Sequence, residues 1–308
     1  MTRIDGLLVL MVLIWGANFS VIKLAFEEVP PQPFNALRLV LSSLVFLAAI
    51  QWARRRARAG EVVSSILHTS NQLTRRDRFD LVWLGVVGHF GYQYFFVGGV
   101  ALSTASNSAL IVGTTPAVLA VVSALLGRER ISGFHWAGAL LAVIGIGFVV
   151  GPSVSFGGAT WRGDLMVMGA VACWTTFTLG SASLIARHSP LYVTGMTMVW
   201  GGLPYVAMAL PQILRVDWLA VSAWSMGALV LSALLALNLA YVIWYTGVQR
   251  LGAARTSIYS NGVPVVAMLV AWVWLGEPLT WTKILGAAAV LSGVLLTRIG
   301  RRLLLQSR

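Results

Sequence analysis

Within long apolar stretches, the chain places a small set of polar and aromatic residues suited to reversible recognition of a small molecule. His89 and Tyr92 fall on one helical stripe with Gly85, Gly88, Phe96 and Gly99, setting a hydrogen-bonding ring beside an aromatic wall. Trp15, Asn18 and Ile22 share a second helical face, where Asn18 could bond a substrate amine or carboxylate, or tie two helices together. Asn238, Tyr241 and Tyr245 stand at i, i+3 and i+7 with Trp244 beside them, and Trp174, Phe177, Thr178 and Ser181 form a comparable face. Burying an imidazole in hydrocarbon is costly, so His89 is expected to line a cavity. Aromatic stripes taken singly fit packing as well as binding, and their convergence on one cavity is the functional expectation. The expected substrate-binding residues are Trp15, Asn18, His89, Tyr92, Trp174, Asn238, Tyr241, Trp244 and Tyr245.

Two basic residues, Lys23 and Arg38, also lie in apolar stretches. Arg38 could contact a substrate carboxylate or snorkel to headgroups, and Lys23 is expected to snorkel or to pair with Glu27 and Glu28. None of the ten acidic residues stands in the middle of an apolar stretch, which argues against a carrier of organic cations, since these need a membrane carboxylate. HExxH, GxSxG, P-loop and Cys/His metal patterns are missing, so neither an enzyme, a cofactor nor a metal is expected. The single cysteine, Cys173, excludes an internal disulfide and reads as a small buried hydrophobe.

The elements that must position these groups are dictated by composition. A chain of 308 residues that is 58% hydrophobic and 10% charged, with a mean hydropathy of +0.82, must use lipid as its solvent. Ten apolar stretches approach the roughly 20 residues that a helix needs to cross a bilayer. They cover residues 6–27, 34–53, 81–101, 106–126, 133–151, 164–186, 192–211, 225–248, 254–275 and 281–298. The first comes after a basic residue but exceeds the apolar core of a signal peptide and reads as a retained span.

The net charge of +12 is explained by topology rather than by nucleic acid, which is not an expected partner. With the N-terminus inside, alternation through ten spans places 17 of the 22 basic residues on the cytoplasmic side, including Arg128, Arg130, Arg187, Arg250 and Arg255. Residues 54–80 form the one long hydrophilic loop, which reads as a solvated linker in preference to a surface helix on anionic headgroups.

The stretch from Gly99 to Gly145 shares its punctuation with the stretch from Gly247 to Gly293. Gly99, Val100, Ala105, Pro116, Glu129, Gly138 and Gly145 recur 148 residues later as Gly247, Val248, Ala253, Pro264, Glu277, Gly286 and Gly293. Five spans per half make the second half enter the membrane from the opposite side, so the repeats are inverted. Residues 1–151 form the first five-helix repeat, 152–163 a linker, and 164–308 the second repeat with a short basic tail. Pro116 and Pro264, inside paired spans, are candidate hinges or static kinks.

These residues resemble the EamA-type transporters of the drug/metabolite transporter superfamily, and most of all the YddG-type exporters of aromatic and other amino acids. The resemblance is carried by WGANFSVIKLAF at residues 15–26, PQPFNALRL at 31–39, and, in each half, a small-residue turn, a mid-helix proline and a Glu-containing turn before a Gly-rich span. The second half departs from this pattern, with CWTTF at residues 173–177 and no evident match to Arg38. The resemblance implies an all-α integral membrane protein of ten transmembrane helices, lodged in the bacterial inner membrane with both termini cytoplasmic. It also implies export of amino acids and related metabolites through a central cavity opened alternately to each side. A drug, sugar or sugar-phosphate carrier of the same fold is the alternative, and an intramembrane enzyme or scaffold the alternative of another class. A small-molecule substrate and the lipid bilayer are the expected partners, and the protein is expected to act as a monomer.

Overall fold

A computed structural model describes residues 3–306 apart from residues 70, 127–132, 151–159, 252–255 and 257–258. The expected turn at Arg128, Glu129 and Arg130, most of the 152–163 linker, and Ala253 with Arg255 lie outside the described residues. The described chain is helical: α1 (Arg3–Ala25), α2 (Pro31–Arg58), α3 (Arg75–Gly85), α4 (Tyr92–Leu102), α5 (Ala105–Gly113), α6 (Thr115–Leu125), α7 (Gly133–Val150), α8 (Thr160–Arg187), α9 (Pro190–Ile213), α10 (Ala223–Ser232), α11 (Ala240–Leu251), α12 (Gly262–Leu275) and α13 (Trp281–Gln306). Residues 160–163, read as linker, are instead the first turn of α8.

Five of these segments are long and apolar enough to cross a membrane by length and composition, namely Ile4–Ala25, Pro31–Arg58, Thr160–Arg187, Pro190–Ile213 and Ala223–Gly247. Their outward faces expose Leu7, Leu10, Leu13, Leu44 and Leu203, as lipid contact requires. The chain is therefore a multi-pass membrane protein.

Two π-helical turns interrupt the helices. Val86–Gly91 joins α3 to α4, and Ala233–Leu239 joins α10 to α11. Each closes on a bond spanning five residues, from Tyr92 N–H to the Val87 carbonyl and from Ala240 N–H to the Leu235 carbonyl. These two bonds lie 148 residues apart, the spacing already found in the sequence.

Glycines set the closest helix crossings. A Cβ on Gly145 of α7 would lie 2.8 Å from the Gly286 carbonyl of α13, and one on Gly293 would lie 2.5 Å from the Gly138 carbonyl. Because Gly138 and Gly145 recur as Gly286 and Gly293, the α7/α13 contact is reciprocal. Gly85 and Gly201 hold the α3/α9 crossing, where a Cβ on Gly201 would collide with the Gly85 carbonyl.

The predicted span 106–126 breaks at Thr114, and Asn261 is a turn residue before α12. Pro116 and Pro264 thus sit in the first turn of the helix after each break, where a missing N–H leaves no carbonyl unpaired. The two breaks touch, since a Cβ on Gly113 would lie 2.6 Å from Pro264 Cγ.

Polar contacts pin both ends of the bundle. Lys23 does not snorkel or pair with Glu27 or Glu28. Its ammonium donates to the carbonyls of Val100 at 2.9 Å, Ala101 at 3.0 Å and Ser103, capping the C-terminus of α4. Across the same turn, Glu277 caps α5, accepting from Ala105 N–H at 2.7 Å, Ser106 N–H at 3.1 Å and Ser106 Oγ at 2.6 Å. Lys283 stands 3.4 Å from the same carboxylate. Burial pushes the Glu277 carboxyl up, but these hydrogen bonds and the Lys283 charge outweigh it and hold the group below its ordinary value.

At this end Glu28 also accepts from Ser222 N–H and Oγ, both at 2.8 Å, and Ser222 caps α10. At the other end of α2, Asp77 completes a capping box with Thr74, accepts from Arg187 Nη2 at 2.5 Å and stands 3.3 Å from His188 Nε2. The stretch read as a solvated linker is not free throughout: residues 66–69 dock on the α8–α9 turn, where Leu191 N–H donates to the Ile66 carbonyl at 3.1 Å and Ser189 N–H to Thr69 Oγ1 at 3.1 Å.

Candidate binding recess

The site is built where the first helix meets the second π turn. Trp15 Nε1 donates to the Ala236 carbonyl at 3.0 Å, a bond between α1 and the π turn that precedes α11. Trp15 then packs edge-on against Tyr241 at 5.9 Å between ring centroids and obliquely against Trp244 at 5.8 Å. Tyr241 is the hub: it also meets Trp174 at 5.7 Å, His89 at 6.1 Å and Tyr245 at 6.4 Å. Tyr92 joins through Trp174 at 5.1 Å and Phe96 at 5.4 Å. Each such ring pair contributes on the order of 0.5–1.5 kcal/mol beyond area burial.

Trp15, Tyr92, Trp174 and Trp244 keep accessible surface while packed against the buried core, so the ring network has an open side, here called the recess. Trp15 and Trp244 touch both main core clusters and stand on the seam between them. The structure thus brings eight of the nine predicted binding residues into two linked groups. Seven form the ring network, and Asn238 lies in the π turn that carries Ala236. Asn18 lies on α1, one turn beyond Trp15.

The predicted stripe from Gly85 to Gly99 is not one face, because the π turn inserts a residue and re-aims the side chains beyond it. Gly85 faces α9, whereas Gly88 faces Phe177 of α8, whose ring a Cβ would strike. His89 is fully buried, and its Nε2 stands 3.2 Å from Thr197 Oγ1. The Thr197 hydroxyl already donates within its own helix, to the Val193 carbonyl at 2.8 Å or that of Thr194 at 3.0 Å. Its oxygen therefore accepts from His89 Nε2–H, and Nδ1 is left as an acceptor with no partner.

Further buried acceptors are open on the elements that carry the rings. Asn18 Oδ1, Gln93 Oε1 and Asn238 Oδ1 make no hydrogen bond, while Asn238 Nδ2 donates to the Ser42 carbonyl at 3.1 Å. Buried polar groups are normally satisfied, so several open acceptors on the helices that carry the aromatic network fit a ligand that donates N–H bonds. Arg38 is 1% exposed, which excludes snorkelling. It stands on α2 one turn before Ser42, whose carbonyl accepts from Asn238 of the second π turn. Cys173 is half-buried rather than buried, with its Sγ against Gly91.

Sequence reasoning passes over Gln93 as a site residue, although Gln93 aligns with Tyr241, and it passes over Asn35 and Thr197. Asn35 stands one turn before Arg38 in the PQPFNALRL string, a signal that could have been read. Nothing in the sequence marks Thr197.

A model of the EamA-like transporter family matches residues 2–151 and again 161–299. Similar proteins include the uncharacterized transporter YyaM of Bacillus subtilis, 25% identical over 91% of this chain and 88% of its own length. A probable terminal-alkyne amino-acid exporter of Streptantibioticus cattleyicolor is 26% identical, covering 96% of this chain and 94% of that protein. A probable amino-acid metabolite efflux pump of Salmonella typhimurium is 26% identical over 98% and 97%. A solved crystal structure, 19% identical, superposes with a TM-score of 0.64 over 97% of this chain and 98% of its own, a likeness of fold.

Proposed function

Since the chain belongs to the EamA-like transporter family, we propose that it exports amino acids, aromatic ones among them, and related metabolites across the bacterial inner membrane by alternating access. The observation that carries this reading is the ring network of Trp15, Tyr92, Trp174 and Tyr241, built on helices that also carry open acceptors, with no carboxylate joining it among the described residues. An ammonium group suits the acceptors and the ring faces, and an apolar or aromatic side chain suits the rings. The names of two relatives, an amino-acid exporter and an amino-acid metabolite efflux pump, agree in kind.

In this reading ten helices cross the membrane as two inverted five-helix repeats, residues 1–151 and 164–308, working as a monomer with both termini cytoplasmic. The paired π turns, the reciprocal glycine contacts of α7 with α13 and the bias of basic residues in the loops support it. Pro116 and Pro264, beside touching helix breaks, act as hinges.

Growth of an exporter-deficient bacterial strain on toxic amino-acid analogues tests the reading. Expression of this chain raises tolerance to aromatic analogues if the reading holds. Tolerance unchanged across a broad analogue panel, with gained resistance to cationic dyes or to sugar analogues instead, contradicts it.

A further inference from the structure

Arg38 and Asn35 occupy successive turns of α2 and are both buried, at 1% and 0% exposure. Arg38 Nη1 donates to Asn35 Oδ1 at 3.1 Å, and the Phe34 ring lies 5.8 Å from the guanidinium carbon. Among the described residues no carboxylate pairs with Arg38, and its Nε and Asn35 Nδ2 are buried donors without hydrogen-bond partners. A guanidinium stays charged at any physiological pH, and burying it without a counter-ion is strongly unfavourable. Two donors left open on one helix face, at a net positive charge and one turn before Ser42, whose carbonyl accepts from Asn238 of the second π turn, match the two oxygens of a carboxylate.

We propose that Arg38, held in place by Asn35, is a carboxylate subsite of the recess, so that the protein takes zwitterionic or anionic carboxylates and rejects amines that lack one. The inference deepens the transport reading and rests on it for the recess as the substrate site. Asn35 acts as a positioning residue: its Oδ1 fixes one edge of the guanidinium and leaves Nε free. The open acceptors Asn18 Oδ1, Gln93 Oε1 and His89 Nδ1 then remain for the ammonium of a zwitterion.

Calorimetric titration of the full-length protein in lipid nanodiscs tests this with three probes of similar size: L-phenylalanine, hydrocinnamate, which has only the carboxylate, and phenethylamine, which has only the amine. Both acids are expected to bind, and phenethylamine at least about tenfold more weakly, the scale of one lost charge-assisted contact. Asn35→Asp gives Arg38 an internal carboxylate and so keeps the buried charge paired. It is expected to retain the thermal midpoint while weakening both acids by about tenfold or more. Arg38→Gln is the second variant, expected to lose the preference for acids over the amine.

Wild-type protein that binds phenethylamine as tightly as the acids, or that binds neither acid, overturns the subsite. So does a folded Asn35→Asp protein with unchanged acid affinities. Binding of hydrocinnamate in an acid-selective, Asn35→Asp-sensitive way, with no transport of L-phenylalanine, supports the subsite while overturning amino-acid export. Transport of L-phenylalanine with equal affinity for phenethylamine does the reverse.

Discussion

The indole N–H of Trp15 donates to the carbonyl of Ala236 at 3.0 Å, joining the first helix to a π turn more than two hundred residues away. The bond fixes the ring that packs on both Tyr241 and Trp244, so recess geometry and π-turn geometry are coupled. Trp15→Phe keeps an aromatic ring but strands the carbonyl, at a cost of about 1–3 kcal/mol. The expected outcome, read by thermal melting and by amino-acid transport, is a lower midpoint and reduced transport. Trp15→Phe protein indistinguishable from wild type in both would contradict it.

The tautomer of His89 is set from outside the recess. Thr197→Val removes the acceptor for Nε2–H and is expected to weaken substrate binding, whereas Thr197→Ser restores it. Nitrogen NMR of the His89 ring checks the cause directly, because the Nε2–H signature should be retained in the Ser variant and disturbed in the Val variant.

The α7/α13 crossing leaves no room for a methyl group at Gly145 or Gly293. Alanine at either position is expected to cost about 1–3 kcal/mol by overpacking. Gly147, in the same helix with nothing near its would-be Cβ, supplies the control. Gly147→Ala should be neutral or stabilising by up to about 1 kcal/mol, as helix propensity dictates. Melting curves of the three variants decide it.

Much of the fold is legible in the sequence, and the reason is physical. A bilayer demands about 20 apolar residues per helix, so each helix falls on a predicted stretch, although α2, α3 and α13 run five to eight residues beyond theirs, α12 begins eight residues late and the stretch 106–126 is broken at Thr114. The π turns are not legible, because Gly85, Gly88, His89 and Tyr92 fit an α-helical stripe equally well and the inserted residue shows only in the hydrogen bonds. Glu277 is visible as a recurrence but not as a cap, since its partners Ala105 and Ser106 are far away in the chain. Lys23 misleads for the same reason: the carbonyls that hold it belong to the end of α4. The 148-residue offset from Tyr241 does point to Gln93, whose buried Oε1 has no hydrogen-bond partner.

Acid should loosen both ends of the bundle. Asp77 is held well below the ordinary carboxylate range, first by the Thr74 backbone N–H and then by the Thr74 hydroxyl, His188 and Arg187, and Glu277 is held low as well. A depressed folded-state pKa adds stability that is present above the unfolded value, about 4, and is lost as pH falls through the folded value. The thermal midpoint should therefore be insensitive to these two groups near neutral pH and should fall below about pH 4. Asp77→Asn and Glu277→Gln should each lower the midpoint at neutral pH and flatten its acid dependence; a wild-type midpoint that rises on acidification would contradict the sign.

Whether the ring network carries amino acids across the membrane is decided by exchange of radiolabelled L-phenylalanine into proteoliposomes preloaded with the unlabelled amino acid. Uptake is expected well above protein-free liposomes and lost in Tyr241→Ala and Trp174→Ala proteins that still fold and insert. Uptake equal to that of protein-free liposomes, or uptake that survives both substitutions, would contradict it.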